Sequence, residues 1–166
     1  MKRLLSLGAL LLAAPLFAAA PDYRTIRMEV DVAKPAAEVW ARVGKYCDIA
    51  EWGSIECKIT SGEGGIGTVR VLRGGQVTEI LVAQTELAYG YTQPAEMGKF
   101  YNLYHGFMEA RPVTARTSKL IYTLLVDESD KPDAAARDAD VAQRRARFEA
   151  LLAKMKSLAE GPAVAR

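Results

Sequence analysis

From Ile55 to Asp127 the chain meets a turn signal roughly every ten residues, and one long charged segment, Pro132 to Ala159, follows. This succession constrains the fold more than any other feature. Short strands joined by tight turns pair antiparallel with their chain neighbours, and a single long amphipathic helix is left to cover the sheet they make. The breaks fall at Gly62 to Gly67, Gly74-Gly75, around Glu86, Pro94 to Tyr101 and Pro112 to Thr117. They divide the stretch into expected strands near 55–61, 67–73, 76–85, 87–93, 103–111 and 117–127. Ahead of them, Arg24 to Val32 alternates Ile26, Met28, Val30 and Val32 with Arg27, Glu29 and Asp31, the period-2 pattern of a half-buried strand. The fold class is therefore α+β with seven antiparallel strands.

Between the first strand and the second, Lys34 to Trp40 starts a helix. Pro35 suits a first helical turn, Glu38 lies near the positive end of the dipole, and Val39, Trp40 and Val43 give a buried side. A second helical turn is expected over Ile49 to Trp52. In the long helix Phe148, Leu151, Leu152, Met155 and Leu158 share one side, with Asp133, Asp138 and Asp140 early and Lys154 and Lys156 late. That side either packs on the sheet or, on the rival reading, lies on a membrane surface.

The N-terminus reads as a cleavable secretory signal over residues 1–20. Lys2 and Arg3 are basic, Leu4 to Phe17 is an apolar run of about 14 residues, short of the roughly 20 that span a bilayer, and Ala18-Ala19-Ala20 is a small-residue exit. The mature domain then covers residues 21–160, with a frayed tail at 161–166, and is expected in the periplasm or outside the cell with no stable membrane span. Losing Lys2 and Arg3 leaves 20 basic against 20 acidic residues, a neutral domain with no basic stripe, so nucleic acid is not an expected partner. Cys47 and Cys57 enclose nine residues, which suits a loop-closing disulfide in an oxidising compartment, worth about 2–3 kcal/mol. Two buried free thiols, or redox or metal chemistry, are the alternatives. The spacing is not CxxC, and a single histidine does not complete a zinc site, so no metal or cofactor is expected.

The order of strand, two short helices, six strands and long helix is the helix-grip arrangement. The chain resembles the SRPBCC superfamily, the START-like and polyketide-cyclase or dehydrase-related proteins. The resemblance rests on Pro35-x-x-Glu38-Val39-Trp40, Glu51-Trp52, Gly67 to Leu72, Glu79, Tyr89-Gly90-Tyr91 and the C-terminal helix, and spans nearly the whole mature chain. Lys34 departs from the Ser or Thr helix cap frequent in the family, and the cysteine pair and signal are not general to it. The resemblance implies a curved sheet around the helix with a cavity between them for a lipid, sterol, polyketide or similar molecule.

Gly74-Gly75 marks a two-residue hairpin, and counting outward sets Arg70 opposite Glu79, on one face with Thr68, Leu72, Val77 and Leu81. If that face lines the cavity, as the resemblance implies, the pair is placed to orient a ligand or do acid–base work. Otherwise it is a structural cross-strand pair. Tyr89 and Tyr91 share a face, and Tyr122 shares one with Leu120, Leu124 and Val126. These phenols are either pocket contacts offering hydroxyls or ordinary core. His105, the lone histidine, is a ligand contact, an acid–base group or a structural residue, and which of Tyr104 and His105 points inward stays open. Trp52 and the stretch Pro94 to Tyr101 frame the cavity mouth or are plain core and plain loop. Gly62 to Gly67 formally matches GxGxxG, but a strand follows it rather than a helix, so it is a turn. Three functions remain: binding or carriage of an apolar or amphipathic molecule, a cofactor-independent cyclase or dehydratase using Glu79, His105 or a tyrosine, and an interaction module whose cavity is filled.

Overall fold

The computed structural model describes residues 20–94 and 103–162. The expected signal segment, most of the 94–101 loop and the end of the tail lie outside the described residues. Seven strands form one antiparallel sheet: β1 (Tyr23–Val32), β2 (Cys57–Ser61), β3 (Val69–Leu72), β4 (Val77–Thr85), β5 (Ala88–Thr92), β6 (Tyr104–Pro112) and β7 (Ser118–Asp127). Helices α1 (Ala36–Val43) and α2 (Ile49–Trp52) follow β1, and α3 (Ala134–Glu160) ends the described chain. The sheet order is β1-β7-β6-β5-β4-β3-β2, so β1 crosses to pair with the last strand while every other neighbour is a hairpin. α3 packs against β1, β7, α1 and α2. This is the helix-grip fold.

Each boundary has a local cause. Asp133 caps α3 by accepting a hydrogen bond from the Ala136 N–H at 2.8 Å, satisfying one of the orphan donors of the first turn. Pro35, expected inside the first turn of α1, sits one step earlier as an uncapped N-cap with extended backbone (φ −57°, ψ 144°), and Val39 N–H bonds to its carbonyl. β2 starts two residues later than expected because Ser54 takes a left-handed φ of 51° and turns the chain. The β3–β4 turn closes as the glycine pair dictates. Gly74 and Gly75 take φ of 65° and 93°, and Gln76 N–H reaches the Arg73 carbonyl at 3.4 Å. The observed register pairs Leu72 with Val77, Val71 with Thr78 and Arg70 with Glu79.

The core is the inner face of the sheet, Ile26, Met28, Leu81, Tyr91, Met108, Leu120, Tyr122 and Leu124 among others, covered by Val39 and Val43 of α1 and Phe148, Leu152 and Met155 of α3. Leu151 and Leu158 are half-buried at its margin. Cys47 and Cys57 are joined in a disulfide that ties the start of the α2 segment to β2. No described helix is long and apolar enough to cross a membrane.

Candidate functional site

Between the inner face and α3 lies a cavity of about 370 Å³. The sheet supplies Glu79, Tyr91, Gln93, Tyr104 and Tyr122, α3 supplies Arg144, Arg147, Phe148 and Leu151, and the α2 side closes it with Ile49, Gly53 and Ile55. Leu72, Arg73 and Val77, around the glycine turn, complete the wall.

Glu79 is held rather than free. Arg70, fully buried behind the lining, donates from Nε to Glu79 Oε2 at 2.8 Å and sets Nη2 2.6 Å from the same oxygen. Its Nη1 donates to the Tyr46 carbonyl. The guanidinium stacks 4.0 Å from the Tyr46 ring centroid and lies 5.1 Å from that of Tyr91, so aromatic faces replace the water it has lost. Gln93 Nε2 donates to Oε1 of Glu79 at 3.3 Å. Each carboxylate oxygen therefore already has a donor.

Tyr91 and Tyr122, from strands two apart in the sheet, share a hydrogen bond of 2.8 Å between their hydroxyls. One hydroxyl donates to the other, so one phenolic proton is left for an additional acceptor. Burial holds both hydroxyls well above the ordinary phenol value of 10, and raises Tyr104 in the same direction. At neutral pH these groups are protonated donors. The space that Tyr91 occupies exists because its cross-strand partner is Gly106: a Cβ there would come within 2.3 Å of the phenol ring. The Tyr122 ring packs 4.7 Å from Phe148 of α3, which links the floor of the cavity to the helix.

The other expected site residues are distributed differently. Tyr89 stands behind the cavity, 5.6 Å from Trp40 and 5.5 Å from Tyr46 between ring centroids, and borders a separate hollow of about 320 Å³. Trp52 is core, its indole N–H donating to the Val43 carbonyl at 3.3 Å, and it does not line the cavity. His105 is a correction to its reading as a ligand contact. The inner face of β6 carries Tyr104, Gly106, Met108 and Ala110, so His105 falls on the opposite face, beside the exposed Phe107 at 6.2 Å. Tyr104 takes the inward position that the sequence left open between it and His105, and sequence reasoning missed Gln93, Arg73, Arg144 and Arg147. The arginines of α3 look like a solvated helix face, and only their spacing from Phe148 and Leu151 placed them near the apolar side.

A curved sheet gripping a long helix over an internal, partly aromatic cavity defines a class of small-molecule-binding domains. Residues 23–160 match the polyketide cyclase / dehydrase and lipid transport family, and the chain belongs to that family within the SRPBCC superfamily. The solved Zhui aromatase/cyclase from a Streptomyces species is similar in fold, with 21% identity, a TM-score of 0.64, and coverage of 84% of this chain and 94% of its own. A protein from Nitrosospira multiformis shares 25% identity over 81% of this chain and 94% of that one, with a TM-score of 0.61. Ara h 8.0201 shares 20% over 82% of this chain and 99% of its own, with a TM-score of 0.57. No curated protein matches the chain.

Proposed function

We propose that the protein binds and carries an amphipathic small molecule in the cavity between the sheet and α3. The observation that carries this reading is a cavity of about 370 Å³ whose inner polar groups, Glu79, Tyr91 and Tyr122, are already held by hydrogen bonds. That volume lies in the range of about 300–1,000 Å³ used by small-molecule sites. Glu79 is engaged by Arg70 and Gln93, and Tyr91 and Tyr122 are neutral donors. A general base needs an ionisable group near the operating pH within reach of the substrate. His105 faces away, which removes the side chain best suited to that role from the cyclase or dehydratase reading. The filled-cavity module is disfavoured by the cavity itself.

The ligand in this proposal places a hydroxyl or carbonyl against the Tyr91–Tyr122 pair and its apolar body along Phe148, Leu151 and Ile55. We place the carrier in the periplasm or outside the cell. The basic, apolar and small-residue succession of residues 1–20 supports that location, and the Cys47–Cys57 disulfide is compatible with it.

Native mass spectrometry of mature protein purified from its own host tests the carrier reading. The expected result is one extra mass per chain, released by solvent extraction. Folded protein with no added mass, unchanged after incubation with a lipid extract of the host, would overturn it.

A further inference from the structure

The cavity has an uneven charge. Four charged side chains line it, three cationic and one anionic: Arg73, Glu79, Arg144 and Arg147. Two of these are compensated. Glu79 is paired with Arg70, and the Arg144 Nε pairs with Asp140 and lies 3.6 Å from Glu128 Oε1. The other two, Arg73 and Arg147, make no ion pair among the described residues. They stand on different walls, Arg73 at the tip of the β3–β4 hairpin and Arg147 on α3, and both are exposed where they border the cavity. Each is anchored. The backbone N–H of Arg73 bonds to the Glu56 carbonyl at 3.2 Å, which fixes the chain at that point, and the Arg147 guanidinium lies 6.0 Å from the Phe148 ring centroid. The domain from residue 21 onward carries equal numbers of basic and acidic residues, so this positive rim is local and not the echo of a basic protein.

Uncompensated guanidiniums at the mouth of a low-dielectric cavity raise the local concentration of anions and offer a planar fork of donors that fits a carboxylate or phosphate. A cationic or neutral head group gains nothing from them. Resting on the reading of the cavity as a binding site, we infer that its ligand is an amphipathic anion, bound with a carboxylate or phosphate head at Arg73 and Arg147 and its apolar body inside along Phe148, Leu151 and Ile55. The orientation is thereby set: head outward, tail inward.

Isothermal titration calorimetry on the mature protein with four ten-carbon probes tests this: decanoate, decyl phosphate, decanol and decyltrimethylammonium. One charge-assisted contact corresponds to about a tenfold gain in affinity. Decanoate, decyl phosphate or both are therefore expected to bind about tenfold tighter than decanol, with the ammonium probe weakest. The two anion arms separate a carboxylate from a phosphate head. Arg147→Gln and Arg73→Gln should each weaken the preferred anion several-fold and leave decanol unchanged, decanol binding serving as the check that the variant is folded. Equal affinities for decanol and both anions would overturn the charge assignment and leave the cavity reading standing. Binding by none of the four would overturn both.

Discussion

Arg70 faces Glu79 across the β3–β4 hairpin, and Lys119 faces Asp31 across β1 and β7, with Glu29 also in reach. Both are cross-strand ion pairs at directly opposed positions of one sheet, one at 2.6 Å and the other at 3.4 Å. They differ in which face they occupy. Arg70 and Glu79 are 0% and 3% exposed on the inner face, whereas the Asp31 side chain is 82% exposed on the outer one. Water screens the outer pair and hydrates each partner alone, so forming the pair changes little. On the inner face neither charge has water to return to. The pair there is an obligation of the fold: having both partners is tolerable, having one is not. Geometry is shared by the two sites, and burial decides their energetics.

The largest effect expected from this contrast follows truncation of the inner cation. Arg70→Met should destabilise the protein by about 3–5 kcal/mol in urea unfolding, because Glu79 is left charged and buried. The double variant Arg70→Met/Glu79→Leu should unfold much closer to the parent than either single variant, since it removes both charges and leaves chiefly the Tyr46 carbonyl without its donor. A cost below about 1 kcal/mol for Arg70→Met, the range of exposed pairs, would break the comparison.

The next effect asks whether the two faces also differ in packing. β5 and β6 present two successive glycine–aromatic pairs, Tyr91 over Gly106 inside and Phe107 over Gly90 outside. A Cβ at Gly106 meets the Tyr91 ring at 2.3 Å, and a Cβ at Gly90 meets the Phe107 ring at 2.7 Å. Tyr91 is enclosed and bonded to Tyr122, while Phe107 is 40% exposed and has solvent to move into. Gly106→Ala should therefore cost about 1–3 kcal/mol, the range for overpacking, and Gly90→Ala clearly less. Equal costs in parallel thermal melts would show that the inner face has more slack than its contacts imply.

The legibility of these features in the sequence follows the range over which each is determined. Arg70 opposite Glu79 was readable by counting, because Gly74-Gly75 fixes a register within ten residues. Cys47 and Cys57 were readable for the same local reason. Tyr91 against Tyr122 was not, since it needs the register of β5 on β6 and of β6 on β7 at once, with the long 94–101 connection between the first two. The signal that existed was Gly106, a mid-strand glycine that makes room for a ring from the next strand. The parity of β6 was also within reach: Glu109 and Arg111 share the face of His105, and two charges on one side mark the outer face. Phe107 on that same side masked the alternation. Arg144 and Arg147 were unreadable as cavity residues because a charged position beside an apolar stripe looks the same whether it borders solvent or the mouth of a pocket.

The smallest effect belongs to the outer pair, and there pH is a sharper probe than truncation. The Glu29 carboxyl is held below its ordinary value of 4.5 chiefly by the hydrogen bond from Lys119, then by that from Arg27. A carboxylate with a lowered folded-state pKa binds fewer protons folded than unfolded, so its contribution is complete above about pH 4.5 and fades as the pH falls through the lowered value. Lys119→Ala should accordingly lower the melting temperature only slightly at pH 7 and 0.15 M salt, and variant and parent should converge as the pH falls through the lowered value. Because the pair is exposed, raising the salt to 1 M should erase even that difference between variant and parent. A loss of stability for Lys119→Ala at pH 7 comparable to that of Arg70→Met would mean that position opposite a carboxylate, and not the face it occupies, sets the energetic weight of an ion pair in this sheet.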